Sequence, residues 1–144
     1  VFGRPIPTAE IVQKIEEVDG VTVARGCIGN PFVFGQVREL LAGRPALRPT
    51  MAMMRAALSR HWQLAVPFYG DPRRALPHAR MHAIKYGQYH RDPVWARERL
   101  VTMRGPEHWE PLVEEVFADR FDEGRVREMT AADAVVPSLQ SCTE

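Results

Sequence analysis

Apolar residues recur at two spacings along the chain, and the pattern changes near residue 44. Before that point, short apolar runs alternate with segments whose apolar positions lie three or four residues apart. The runs Val1-Phe2 and Val21-Thr22-Val23-Ala24 are typical of buried parallel strands, whereas residues 8–18 and 31–41 have the spacing of amphipathic helices. The order strand, helix, strand, helix predicts two βα units of a parallel sheet.

The sheet predicted for residues 1–44 has too few strands to be stable by itself. These units therefore need strands from outside the chain. The sequence also begins with Val1 rather than Met. We expect the chain to be a piece of a longer protein that carries the rest of the sheet.

After a short linker at Pro45–Pro49 the pattern is entirely helical. Caps and breakers predict four helices: residues 50–66, 73–86, 93–103 and 106–118. Pro67–Pro72 is predicted to be a turn between the first two. The predicted fold class is an α/β fragment followed by an all-α bundle, with domains at 1–44 and 45–120 and an acidic, flexible tail at 121–144.

The composition excludes several protein classes. A chain of 144 residues with 45% hydrophobic and 26% charged residues suits one ordinary globular unit. It contains no apolar run long enough to cross a membrane and no secretory signal. Its two cysteines, Cys27 and Cys142, indicate reduced thiols and a cytoplasmic location. His78 and His82 have the spacing of two metal ligands but lack a third partner, so we expect no metal site.

The net charge of +1 hides a strong segregation along the chain. Residues 50–105 carry +7, whereas residues 106–144 carry −7. A basic block next to aromatic residues favours RNA as a partner, because arginine pairs with phosphate and rings stack on exposed bases. Tyr86, Tyr89 and Trp95 are the nearby rings. The alternative is a solvated helix surface whose aromatic residues anchor the core.

A glycine-containing loop follows the second predicted strand. It reads Arg25-Gly26-Cys27-Ile28-Gly29-Asn30-Pro31 and leads into a helix, with Asn30 as a candidate N-cap. Backbone amides at a helix N-terminus suit a phosphate group, although an ordinary strand-to-helix turn has the same pattern. Gly3-Arg4 is expected to form the companion loop after the first strand, and Cys27 is interpreted as a small buried residue.

Three segments together resemble one enzyme family. Val23-Ala24-Arg25-Gly26 followed by Gly29-Asn30-Pro31-Phe32 resembles the last barrel strand and loop of the tRNA-dihydrouridine synthases. The helix from His61 to Tyr69-Gly70-Asp71 resembles the family's helix that ends in a Tyr-Gly-acidic turn. Ala79-Arg80-Met81-His82 through Tyr86 resembles its Arg-Lys-His segment. The resemblance extends over residues 1 to about 120.

The resemblance implies an FMN enzyme that uses NADPH to reduce specific uridines in tRNA to 5,6-dihydrouridine. Its fold would be the last two βα units of a TIM (β/α)8 barrel followed by a helical tRNA-binding domain. The residues expected at the flavin phosphate are Gly3, Arg4, Ala24, Arg25 and Gly26. Those expected at tRNA are Arg80, His82 and Lys85.

The sequence departs from the family pattern at three points. Gly3-Arg4-Pro5-Ile6 is shorter than the usual loop and lacks its Asp, and Met81 replaces a Lys. The family's catalytic cysteine lies upstream of this chain, so no catalytic residue is expected here and the chain alone is expected to be inactive. Two other functions stay open: a free-standing helical RNA-binding module with a barrel remnant, and another FMN-dependent barrel oxidoreductase.

Overall fold

The structure of the protein is a computed structural model that describes residues 27–122. Five α-helices lie in this range: α1 (Val33–Leu41), α2 (Met51–Tyr69), α3 (Pro72–Tyr86), α4 (Pro93–Val101) and α5 (Trp109–Val116). Three short 3-10 helices, Gly87–Tyr89, Pro106–His108 and Asp119–Phe121, connect or follow them. The predicted strands, the helix at 8–18 and the tail beyond Asp122 lie outside the described residues.

Helices α2 to α5 pack around one core. α3 runs back along α2, α4 packs on α3, and α5 contacts both α4 and α2. The core consists of aliphatic, methionine and aromatic side chains from all four helices, including Met54, Leu58, Leu100, Val116 and Phe117. The predicted helical bundle is therefore confirmed for the described part of the chain.

The helix boundaries follow local capping chemistry. The Thr50 side chain accepts a hydrogen bond from the Met53 amide at 3.2 Å, as predicted for the start of α2. Asp122 adds a second cap, because its Oδ1 accepts from the Met51 amide at 2.8 Å. The Asp92 side chain caps α4 in the same way, accepting from Trp95 at 3.0 Å.

The prediction that the first long helix ends near Val66 was wrong. α2 continues through Pro67 to Tyr69 and ends at Gly70, whose φ of +70° is the left-handed conformation that favours glycine. Pro67 is exposed, so its ring lies away from the core. The ring of Tyr69 stacks on His78 of α3, and this contact holds the last turn in place.

Three further helices are shorter than predicted. α1 begins at Val33, and the residue at its N-cap position is Phe32 rather than the predicted Asn30. α4 ends at Val101, where the Thr102 hydroxyl donates to the Arg99 carbonyl at 2.7 Å. The last predicted helix divides into a 3-10 turn at Pro106–His108 and α5. These differences do not alter the order of the helices.

The segment before α1 also touches the helical core. Phe32 packs against the core cluster, although the sequence places it in the barrel part. Gln36 of α1 donates to the Leu47 carbonyl at 2.9 Å. Phe32 therefore joins this segment to the helical core, and the hydrogen bond of Gln36 joins α1 to the linker before α2.

Candidate nucleic-acid interface

One side of the α2–α3 pair carries cationic and aromatic groups. On α2, His61, Leu64 and Phe68 recur at three- and four-residue spacing and so share one face of the helix. On α3, a second set of residues with the same three- and four-residue spacing shares one face of that helix. We call this surface the α2–α3 face; its members on α3 are Arg74, His78, Met81, His82 and Lys85.

Aromatic rings join the two helices along this face. The His61 and His82 rings lie 4.4 Å apart between centroids. Further along, Tyr69 and His78 are stacked at 4.4 Å with their planes only 4° apart. Phe68 meets Tyr69 edge-on at 5.0 Å. The result is a row of rings at the surface that ends in Phe68.

Burial lowers the pKa of two histidines on the α2–α3 face. For His61 the cause is desolvation. For His82 desolvation again comes first, and the proximity of His61 and His78 lowers the pKa further. Both imidazoles are therefore favoured in the neutral form at neutral pH. An added anion would favour their protonation, so this face can gain positive charge when a polyanion binds.

Three apolar side chains of the α2–α3 face point into solvent. Phe68 is 81% exposed, Leu64 is 54% exposed and Met81 is 45% exposed. Phe68 was not singled out from the sequence, because Pro67 was expected to end the helix before it. The signal was present as the spacing of Arg60, Leu64 and Phe68, which places all three on one stripe of a continuous helix.

The α2–α3 pair is poor in acidic residues. Asp71 is the only acidic residue between positions 55 and 91. Its carboxylate is used locally, accepting a hydrogen bond from the Arg73 amide at 2.8 Å as the N-cap of α3. Arg60, Arg74 and Lys85 make no ion pair within the part of the chain that the structure describes. The local field is therefore positive.

On the opposite side of the bundle, two arginines pair with carboxylates of the protein. Arg55 of α2 donates to the Phe117 carbonyl at 2.6 Å and to Asp119 at 2.9 Å, and it lies 3.4 Å from Glu114. Arg99 of α4 forms a two-point ion pair with Glu115 of α5 at 2.8 and 2.6 Å. Arg99 holds the pKa of the Glu115 carboxyl below its usual range, through the hydrogen bond first and the charge second.

The three residues predicted to meet tRNA occupy two different places. His82 and Lys85 lie on the α2–α3 face. Arg80 points to the other side of α3 and donates to the Met103 carbonyl at 2.7 Å. There it lies near a groove of about 260 Å³. The groove is lined by Arg73, Leu76, Arg104, Gly105, Pro106 and Glu107.

The aromatic residues expected beside the basic block have mostly structural roles. Tyr86 and Tyr89 are buried in the core. Burial, followed by the proximity of Tyr86, raises the pKa of Tyr89 to about 12. Trp95 packs against His90 and Phe121. The core-anchor alternative therefore holds for the two tyrosines, and the rings available to a ligand are those of the α2–α3 face.

The glycine-containing loop lies against the end of α3. Gly29 has a φ of +98°, and a Cβ atom built there would stand 3.1 Å from the Cβ of Lys85. Asn30 organises the turn, since its Oδ1 accepts from the Phe32 amide at 3.1 Å. Residues Gly3, Arg4, Ala24, Arg25 and Gly26, predicted to hold a phosphate, lie outside the described residues.

Residues 27–122 contain neither a candidate metal site nor a candidate membrane span. No group of three or more His, Cys, Asp or Glu side chains in that range could hold a metal ion. None of the helices there is long and apolar enough to cross a membrane.

Comparison with known proteins places the chain in a family. The family model described as dihydrouridine synthase (Dus) matches residues 6–121, which include the whole helical bundle. The chain belongs to the dihydrouridine synthase family. This result confirms the family resemblance and favours it over another type of flavin barrel. No solved structure matches the chain significantly.

Curated relatives of the dihydrouridine synthase family are similar over part of the chain. The tRNA-dihydrouridine synthase B of Xanthomonas axonopodis pv. citri is 31% identical over 104 residues, covering 72% of this chain and 30% of that protein. A probable tRNA-dihydrouridine synthase of Mycobacterium leprae is 37% identical over 54 residues, covering 37% of this chain and 14% of that protein. A Mycobacterium tuberculosis protein with the same description is 33% identical over 54 residues. The matches thus span less than a third of each relative's length.

Proposed function

We propose that the chain is the C-terminal part of an FMN-dependent tRNA-dihydrouridine synthase, with tRNA held by the helical bundle. In this proposal residues 1–44 supply the last two βα units of a TIM barrel, and residues 45–120 form the tRNA-binding domain. The intact cytoplasmic enzyme reduces specific uridines to 5,6-dihydrouridine with NADPH as the reductant. Membership of the dihydrouridine synthase family and the names of the similar proteins support this activity.

The observation that carries the proposal is the α2–α3 face. It combines unpaired cations, neutral histidines and exposed rings with the absence of any carboxylate on the face, as an RNA surface requires. His82 and Lys85 lie on this face and contact the tRNA directly. Arg80 contributes from the other side of α3: one nitrogen holds the Met103 carbonyl, and the remaining donors of the guanidinium are free to meet phosphate near Arg73 and Arg104.

The loop beside Lys85 connects the RNA surface to the proposed flavin site. The described residues fit an anion nearby, because Gly29 allows a tight turn and no acidic residue occurs between Gly20 and Arg38. The amides of Phe32 and Val33 are already bonded to Asn30. On the family resemblance, we assign phosphate binding to the upstream residues Gly3, Arg4, Ala24, Arg25 and Gly26.

The chemistry divides between this chain and the rest of the enzyme. When bound, the flavin supplies the hydride that reduces the C5–C6 double bond of the uracil. The cysteine that protonates the base belongs to the upstream part of the barrel. The residues of this chain bind and orient the substrate: the α2–α3 face holds the tRNA, and the loop at Gly29 packs against the end of α3 at Lys85.

The experiment that tests the proposal compares the intact protein with this chain. The intact protein should bind FMN and, with NADPH, convert tRNA uridines to a product heavier by two hydrogens, detected by mass spectrometry of nuclease digests. The 144-residue chain should bind the same tRNA without forming product. If the intact, flavin-loaded protein forms no product, the enzyme assignment is overturned. tRNA binding by the chain would then support an RNA-binding module instead.

Lys85→Ala provides a sharper variant of that test. In the intact protein it should weaken tRNA binding and leave the flavin content unchanged, because Lys85 contributes charge to the RNA surface. A loss of flavin in place of tRNA affinity would mean that α3 supports the barrel rather than the RNA.

A further inference from the structure

We propose that Phe68 stacks on an unpaired base of the tRNA. The Phe68 ring is the outer end of the Phe68–Tyr69–His78 row. In this proposal the cations on either side of that ring bind the neighbouring phosphates. This inference rests on the proposed function, because it identifies which part of the RNA the α2–α3 face contacts.

The exposure of Phe68 has no explanation in the fold itself. The end of α2 is already fastened by buried Ala65 and by Tyr69, which stacks on His78. Phe68 is 81% exposed, the largest exposure among the large apolar side chains of residues 27–122. A phenylalanine ring left in water forgoes its burial free energy, so its position suits a ring that is covered when a ligand binds.

The geometry around Phe68 suits a flat ligand. Tyr69 and His78 stack nearly parallel at 4.4 Å, and Phe68 meets the outer side of this pair at 5.0 Å. Leu64, one turn earlier on the same stripe, is also exposed and extends the apolar surface. A base can cover Phe68 and Leu64 together, whereas a small ion or a sugar hydroxyl gains nothing from either.

The charge around Phe68 identifies the ligand as nucleic acid. Arg60 lies two turns before Phe68 on the same stripe of α2, and Arg74 lies one turn before His78 on α3. Asp71, the one nearby carboxylate in the sequence, is engaged as the cap of α3. A surface with cations and rings but no available carboxylate complements a polyanion with exposed bases.

The base must be unpaired. In an A-form duplex the bases are stacked on one another and the accessible groove displays edges and hydroxyls, so a side chain ring cannot reach a base face. Loops and bulges of tRNA present splayed bases. Phe68 therefore directs the bundle toward a loop of the tRNA rather than toward one of its stems.

The test measures binding of fluorescein-labelled tRNA by anisotropy, using this chain and three variants at one position. Phe68→Ala should weaken binding by about 5- to 150-fold, the range for loss of one base stack. Phe68→Leu should not restore it, because it keeps apolar area but not a ring, whereas Phe68→Trp should bind as the parent does. The dependence of binding on salt should be the same in all four proteins, since stacking involves no charge.

Val94→Ala is the matched control. Val94 is also exposed, at 67%, but it lies on α4. Its loss should leave tRNA affinity unchanged. A blunt-ended RNA duplex of two separate strands should bind the parent chain and Phe68→Ala equally, because it has no unpaired base.

The outcomes separate the inference from the proposed function. If the parent chain binds tRNA and Phe68→Ala binds equally well, or Phe68→Leu restores binding, stacking is overturned and the RNA surface stands. If the parent chain does not bind tRNA at all, the inference and the assignment of the bundle as the tRNA-binding domain are both overturned, whereas the enzyme assignment is decided by product formation in the intact protein. If Phe68→Ala converts an oligomer into a monomer in sedimentation and the affinity falls for that reason, Phe68 belongs to an interface between copies and the inference is overturned.

Discussion

The two sides of the helical bundle differ in how far their basic residues pair with carboxylates of the protein. On the α4–α5 side, Arg55 and Arg99 are held by Asp119, Glu114 and Glu115. On the α2–α3 face, Arg74 and Lys85 have no acidic partner among the described residues. Arginines that are neutralised within the protein stabilise its fold, whereas those that are left unneutralised create a field outside it.

The difference explains why the net charge conceals the interface. The acidic residues of the last third of the chain balance the basic middle almost completely in number. Those that the structure describes contact only part of it, because α5 and the turn after it pack on α2 and α4. Asp122 even caps α2 at Met51. The carboxylates thus serve the fold, and the α2–α3 face keeps its charge.

The largest expected effect comes from comparing two phenylalanines. Phe117 is fully buried on the α4–α5 side, whereas Phe68 is exposed on the α2–α3 face. Phe117→Ala should lower the free energy of unfolding by about 3–5 kcal/mol, because it leaves a cavity in the core. Phe68→Ala should change it by about 0.5 kcal/mol or less. Urea unfolding followed by circular dichroism measures both, and similar losses would remove the distinction between the two sides.

A smaller effect is expected from the arginines. Arg55→Met should lower the free energy of unfolding by about 1.5–3 kcal/mol, since charged hydrogen bonds to Phe117 and Asp119 are lost. The matched variant Arg74→Ala should leave stability nearly unchanged and weaken tRNA binding instead. Thermal unfolding and anisotropy on the same samples make the comparison. A destabilised Arg74→Ala would mean that this cation, too, has an internal partner.

The smallest effect is a pH dependence with opposite signs for stability and binding. Because burial lowers the pKa values of His61 and His82 in the folded state, the unfolded chain binds more protons below its own pKa near 6.5. Stability is therefore full above that pH and falls as the pH drops through the folded-state values. Buried His90, whose pKa is also lowered, adds to this loss.

Binding of tRNA should respond in the other direction. Phosphate favours the imidazolium form of His82, so affinity should rise as the pH is lowered from 7.5 to 6. The slope should not exceed about one logarithmic unit per pH unit for each proton taken up. Anisotropy at several pH values should show a flatter dependence for His82→Gln. An unchanged slope in that variant would remove His82 from the interface.

Sequence reasoning predicted the bundle and its family because helix spacing and capping are local signals. Thr50 and Gly87 mark boundaries that the structure retains. It was wrong at Pro67, because a contact distant in sequence, between Tyr69 and His78, stabilises the turn beyond the proline. The strands and the flavin-phosphate residues predicted for positions 1–26 lie outside the described residues and stay predictions.

The candidate site was only partly predictable for a related reason. The basic block was visible in the sequence. The sequence did not show which of its residues bond within the protein and which stay exposed. Arg55, Arg80 and Arg99 look like Arg74 in sequence, and only the packing of α5 and of the loop at Met103 separates them. Burial likewise decided that Tyr86 and Tyr89 belong to the core while Phe68 faces solvent.

The most direct test of the account is the salt dependence of tRNA binding in charge-matched variants. Lys85→Ala and Arg74→Ala each remove one cation from the α2–α3 face, whereas Arg97→Ala removes an exposed cation from α4. The account predicts that the slope of log K against log salt becomes shallower by about 0.7–0.9 for each of the first two and does not change for the third. Equal changes in all three variants would contradict it, because tRNA would then follow the net charge of the chain and not the α2–α3 face.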